Sequence, residues 1–306
     1  MTPSGRRALL SGYLVAAIVV VASAPAMSVT PADPAVVEMA APPITIEPSP
    51  EPEPSREPLA QAPQATNFAA AMVDAATAAV PQGVTSGIAV MDVRTGQLAT
   101  SGTEQFYSAS LSKLMLIVDM LDRDVEVTPP VQNLITRALG PSDDNAMNSL
   151  WVRFDGPDAM NRVASSLGMT GTHGPDDRSQ WGEAVVSPAG YARLYQHIMT
   201  EMDPGDRDTI LAALSAAPAT AVDGFNQEFG LLGLPKAVTK QGWMYYGNRL
   251  YLHSAGVVAN GSDHYAVVLL TSQTPSAGVA RANVSVLAKA IMSAMPSPES
   301  SAEVTR

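Results

Sequence analysis

Phe106-Tyr107-Ser108-Ala109-Ser110-Leu111-Ser112-Lys113-Leu114-Met115-Leu116-Ile117-Val118 joins a serine-rich entry to an unbroken apolar run. The pattern predicts a buried helix whose first turn carries Ser110 and Lys113. Residues three apart on a helix share a face, so this spacing puts the Lys113 amine within reach of the Ser110 hydroxyl. A first-turn residue also keeps its backbone N–H outside the intrahelical ladder, free to donate to an oxyanion. A lysine accepts a proton only when neutral, and burial, a helix N-terminus or a second cation each favour that form. A second lysine is therefore expected in the same site.

On the N-terminal side, residues 67–80 are Ala-rich and read as a helix, and Gly87–Val93 and Gln97–Ser101 flank the turn residues Arg94-Thr95-Gly96 as a hairpin. On the C-terminal side, helical periodicity runs to about Leu214, broken by Pro129-Pro130, Gly140-Pro141, Gly156-Pro157 and the loop from Gly171 to Gly182. Strand patterns return at Ala237–Trp243, Arg249–Val258 and His264–Thr271, and an amphipathic helix closes the domain over 277–295. Two strands, many helices, three strands and a last helix predict a five-stranded antiparallel sheet assembled from both chain ends. The fold class expected is α/β, with helices flanking the sheet and an all-helical layer between its two halves in sequence.

Ser-x-x-Lys alone is common at helix starts, where the serine caps and the lysine is solvated. Two further stretches follow in chain order: Ser142-Asp143-Asp144-Asn145-Ala146-Met147-Asn148, and Lys240-Gln241-Gly242 on a predicted strand. With these three motifs in this order the chain resembles the class A β-lactamase and D,D-peptidase superfamily, whose pattern is Ser-x-x-Lys, Ser-Asp-Asn and Lys-Thr-Gly. The resemblance covers about 67–295. It implies that Ser110 attacks the carbonyl, Lys113 takes its proton, and Ser142 relays a proton to the leaving nitrogen. It further implies that Lys240 holds a substrate carboxylate and depresses the pKa of Lys113, with the N–H groups of Ser110 and Trp243 as the oxyanion hole. Asp144, Gln241, Gly242 and Trp243 would line the substrate groove.

Several positions depart from that pattern. Asp144 stands where the family has Asn, and a carboxylate cannot donate to a substrate amide and favours a charged lysine. A register shifted by one would keep Asn145 but put Asp143 in place of the serine; the unshifted one is preferred, because Ala146 and Asn148 then fall where the family has Ala and Asn. Gln241 replaces a hydroxyl residue, and Trp243 follows the glycine, either packing under a loop with Met244, Tyr245 and Tyr246 or stacking on substrate. The Arg-x-Glu-x-x-Leu-Asn loop of class A enzymes is missing; Asp176, Asp177 and Glu183 are in the corresponding stretch without its spacing, and read as solvated loop charges. Slow deacylation follows from that reading.

The expected activity is acyl transfer on a β-lactam or a peptidoglycan peptide, and the alternative is a catalytically impaired relative that binds such a peptide or a protein. The net charge of −11 argues against a nucleic-acid partner. The absence of cysteine excludes disulfides, thiolate metal sites and a lipobox. His173, His197, His253 and His264 have no ligand spacing and no phosphate-binding loop is present, so no metal or cofactor is expected. Arg6-Arg7 before the apolar run 9–27 reads as a signal peptide or a membrane anchor over 1–28, with Ala22, Ala24 and Ala26 suited to cleavage. The Pro-rich segment 29–66 reads as an extended linker, 67–296 as the catalytic domain, and 297–306 as a disordered tail.

Overall fold

The computed structural model describes residues 67–102, 105–274 and 276–297. The expected leader, the Pro-rich linker and all but Ser297 of the expected tail lie outside the described residues.

Helix α1 (Phe68–Ala78) is followed by β1 (Thr85–Asp92), β2 (Leu98–Ser101) and the two-residue β3 (Phe106–Tyr107). The helical layer contains α2 (Ser112–Asp122), α3 (Pro129–Leu139), α4 (Asp144–Arg153) and α5 (Gly156–Ser166). After a long loop come β4 (Val185–Val186), α6 (Pro188–Thr200) and α7 (Pro204–Ser215), then β5 (Ala237–Tyr246), β6 (Arg249–Asn260), β7 (Asp263–Gln273) and α8 (Ala277–Ala294). The main sheet is antiparallel throughout, in the order β2-β1-β7-β6-β5. Its two N-terminal strands thus pair with three from the C-terminal end, as the sequence predicts.

Strand alternation divides the core. In β7, Ala266, Val268 and Leu270 face the helical layer, while Val267 and Leu269 face α1 and α8. Met91 and Val90 of β1 divide in the same way. Successive strand side chains point to opposite faces, so a fully apolar strand can feed two cores at once. This accounts for near-continuous burial along β7. The strands outrun their predicted limits because two tight turns close the hairpins, with Gly247 and Gly261 at φ of 59° and 63°. Asn260-Gly261-Ser262 is the second of these turns, and the Asn260 amide donates to the Pro296 carbonyl.

A second, two-stranded sheet pairs β3 with β4. It was not anticipated, since two residues carry no readable period. It nevertheless positions the site: together with the bond from Ser108 N–H to Ala184 C=O, it zips the entry to Ser110 against the exit of the 174–183 loop. Strand β5 is the sheet edge, and its unpaired side faces the turn that holds Ser110. A Cβ on Gly242 would lie 3.1 Å from the Ser108 carbonyl and 3.3 Å from Leu111 Cγ, so any side chain there would have to push the Ser110 turn a few tenths of an ångström away from the strand.

Candidate active site

Ser110 is in a short 3-10 turn, Ala109–Leu111, and α2 proper starts at Ser112. The expected first-turn position is therefore one step tighter than an α-helical start, with Ala109 in the left-handed region at φ 47°. Ser142, at the mouth of α4, is also left-handed at φ 58°. Non-glycine residues hold such angles at a cost of about 1 kcal/mol or more each, and only where surrounding contacts enforce them. Both strained residues adjoin the same cluster of side chains.

In that cluster Lys113 Nζ lies 2.9 Å from Ser110 Oγ, 2.8 Å from the Ser142 carbonyl, 3.1 Å from Ser142 Oγ and 2.7 Å from Asp144 Oδ1. Lys240, reaching in from β5, places its Nζ 2.9 Å from Ser142 Oγ and 2.8 Å from the Gln241 carbonyl. Ser142 thus bridges the two amines. Burial pushes the Lys113 ammonium below its ordinary range, opposed by the Asp144 carboxylate. Burial pushes Lys240 much further down, with the charge on Lys113 adding to the effect. Asp144, bonded directly to Lys113, favours its charged form.

The geometry separates Ser142 from Asp143, the residue a shifted register would have used. Asp143 caps α4, accepting from the N–H groups of Asn145 and Ala146, and pairs with Arg137. Ser142, not Asp143, meets the lysines. Gln241 does not join them: it is buried, and its amide donates to the carbonyls of Gln227 and Phe229 behind the strand. Its backbone carbonyl, not its side chain, contacts the cluster. Trp243 borders the cleft, but one ring face is stacked on Phe225 at 4.7 Å between centroids and its Nε1 donates to Asp223 Oδ2 at 2.9 Å. Packing under the 216–236 segment therefore accounts for one side of this ring. Tyr245 and Tyr246 are exposed and do not share that packing.

The cluster opens into a cleft of about 370 Å³ bounded by Ser110, Asp144, Trp181, Glu183, Asp223 and Trp243. Trp181 and Asp223 were not singled out from the sequence. The Trp181 ring centroid is 4.9 Å from Lys113 Nζ, and its Nε1 donates to Asn148 Oδ1 at 2.8 Å. Trp151 anchors the same loop by donating to the Arg178 carbonyl. Asp177 is engaged in a local turn with Ser179, as a solvated loop charge would be. Glu183, read in the same way from sequence, instead borders the cleft. Among the described residues no cluster of His, Cys, Asp or Glu could hold a metal ion.

The chain matches the model of the beta-lactamase enzyme family over residues 120–295. It belongs to that family. The matched span includes Ser142 and Lys240, and Ser110 and Lys113 lie just before it. A mycobacterial relative named "Putative lipoprotein LppW", from Mycobacterium tuberculosis and Mycobacterium bovis, is 30% identical over 233 residues, covering 72% of this chain and 70% of that one. The fold is shared with solved beta-lactamases. TLA-1 extended-spectrum beta-lactamase superposes with a TM-score of 0.63 at 12% identity, over 73% of this chain and 98% of that one. A beta-lactamase from Chitinophaga pinensis gives 0.59 at 16% identity, over 74% and 98%.

Proposed function

We propose that this family member is a serine acyl-transfer enzyme of the cell envelope, acting on a β-lactam or a cell-wall peptide amide through an acyl-Ser110 intermediate. The observation that carries the reading is the bonded series Ser110 Oγ, Lys113 Nζ, Ser142 Oγ, Lys240 Nζ, each step within 3.1 Å. Burial favours the neutral form of both lysines. In its neutral form Lys113 accepts the Ser110 proton across their 2.9 Å contact, and Ser142, bonded to both amines, is placed to pass it on. As Ser110 Oγ bonds to the carbonyl carbon, the C–N bond breaks and the leaving nitrogen takes a proton back through Ser142. The close seat of β5 on the Ser110 turn, made possible by Gly242, sets the Trp243 and Ser110 N–H groups as candidate oxyanion donors.

The envelope assignment is supported by the leader expected over residues 1–28 and by the lipoprotein name of the mycobacterial relative. The 306 residues contain no cysteine to carry a thioether lipid, so any tether here would be the apolar segment itself.

A binding-only role has one observation in its favour. The 2.7 Å contact between Lys113 and Asp144 favours the charged amine, which is no base. Intact-mass spectrometry of the domain with a penicillin in large excess separates the two. Acyl transfer requires a mass gain of one drug molecule that is absent in Ser110→Ala. No adduct and no drug consumption at any pH would leave binding as the function.

A further inference from the structure

We infer that Gln227 and Gln241 are positioning residues for Ser142, a pair of buried amides that hold the Gly140-Pro141 backbone so that the Ser142 hydroxyl stays between the two lysines. The inference deepens the proposed function and rests on it for the role of Ser142 as a proton relay. Its starting point is the left-handed backbone of Ser142, at φ 58°. A serine holds that conformation only where its neighbours enforce it. On the C-terminal side, the Asp143 N–H donates to the Arg137 carbonyl at 2.9 Å and the Asp143 carboxylate is paired with Arg137. On the N-terminal side Pro141 has no N–H to donate, and the carbonyls of Gly140 and Pro141 take over.

Both carbonyls are held from the 216–236 segment. Gln227, 1% exposed, donates through Nε2 to the Gly140 carbonyl at 3.2 Å and to the Pro218 carbonyl at 2.7 Å, and the Val222 N–H donates to the Pro141 carbonyl at 3.0 Å. Gln227 is in turn held from β5, where Gln241 Nε2 donates to the Gln227 and Phe229 carbonyls. A side-chain amide nitrogen carries two N–H donors, so each glutamine commits both to backbone carbonyls. Lys240, the residue before Gln241, closes the ring through its 2.9 Å contact with Ser142 Oγ. Successive strand residues face opposite sides, so β5 sends Lys240 to the serine and Gln241 to the clamp behind it. A hydroxyl residue at 241, as the resemblance would place there, carries its donor on Cβ, well short of these carbonyls. The departure at 241 thus has a structural task directed at Ser142.

The test uses Gln227→Met, which keeps the length of the side chain and removes both donors, with Gln241→Thr as a milder variant. Amide hydrogen exchange on the ligand-free protein should be about tenfold faster at Asp143 in Gln227→Met and a fewfold faster in Gln241→Thr, with exchange in β7 unchanged. Acylation by a penicillin, read by intact mass, should slow about tenfold in Gln227→Met while the half-saturating drug concentration stays the same, as misplacing a group that acts in the transition state would give. In the Ser142→Ala background the same substitution should change the rate less than about twofold, because the residue it positions is gone. A role in stability alone would cost as much in both backgrounds, and that result, or wild-type exchange at Asp143 in both variants, would overturn the inference. If wild type or Ser142→Ala forms no adduct, exchange at Asp143 decides the clamp on its own, and in the first case the proposed function falls separately.

Discussion

The two walls of the cleft are built differently. The wall that holds Ser110, Lys113, Ser142 and Lys240 is carried by the turn into α2 and α2 itself, the residue leading into α4, and β5, and every one of these side chains is within hydrogen-bond distance of another. The facing wall, 174–183, is a loop held by a few long-range bonds, from Trp151 to Arg178 and from Trp181 to Asn148. On the proposed mechanism, acylation would need the first wall, and admitting and activating a water to release the acyl group would need the second. The first is complete in this chain, whereas the second presents an indole over the lysine and a glutamate that is not among the partners of Lys113. If the proposed mechanism holds, formation and breakdown of the acyl-enzyme depend on separate supports and can diverge.

Removing the base should have the largest effect. Lys113→Met is expected to lower the acylation rate about a thousandfold, the range of a positioned general base, with near-UV circular dichroism unchanged because Asp144 is left facing solvent. An acylation rate within threefold of wild type would take Lys113 out of the mechanism. Trp181→Ala addresses the other wall. With the ring gone, water reaches the site, and adduct lifetime should shorten about tenfold while adduct formation changes only a fewfold. An unchanged lifetime would mean that the loop does not limit water access.

A smaller effect is expected from Asp144→Asn, which withdraws the carboxylate that favours charged Lys113. Acylation at neutral pH should rise about fivefold, limited because the Asp144 side chain is 60% exposed and its pull is screened. The rate should climb with pH in both proteins, starting lower on the scale in the variant. A fall in rate would show that the carboxylate positions Lys113 more than it suppresses it.

The support beneath the first wall can be probed by pH. His253 is fully buried, its Nε2–H donating to the Tyr107 carbonyl and its Nδ1 accepting from the Thr271 N–H. Burial lowers its pKa to about 4, so between the unfolded value near 6.5 and about 4 the unfolded chain holds a proton that the folded one refuses. Stability is therefore full above about 6.5 and falls as pH drops through that window, by about 3 kcal/mol in all. His197 works in the opposite sense: its bonds to Asp122 and Glu201 raise its pKa, so its contribution is present below about 6.5 and lost as pH rises through the folded value. Denaturant melts of His253→Gln and wild type from pH 4 to 8 should differ in slope at the acid end.

The legible parts of this molecule were those with a local period. The i, i+3 spacing of Ser110 and Lys113 and the alternation of Val, Leu and Ala in β7 announced their elements before any contact was known. Serine and aspartate act both as caps and as catalysts, so only the neighbours Ala146 and Asn148 favoured Ser142 over Asp143 in the sequence, and the pairing of Asp143 with Arg137 is a contact no local pattern shows. Trp181 was hidden for a different reason. It acts on a residue 68 positions earlier through a two-residue sheet and a loop, and neither has a pattern to read. Gln241 sits on a well-predicted strand, but the carbonyls that hold it belong to residues 227 and 229, where the sequence suggested no partner.

The most direct test of a complete acylating wall facing an incomplete releasing wall is a time course of intact mass. The domain is loaded with a penicillin, freed of excess drug, and followed as the adduct decays, with Ser110→Ala in parallel. The account predicts one adduct per chain in the wild type only, persisting long after free drug is gone. Rapid Ser110-dependent consumption of the drug without accumulation of adduct would contradict it, and would make Glu183 or a water on that loop a working part of the catalyst.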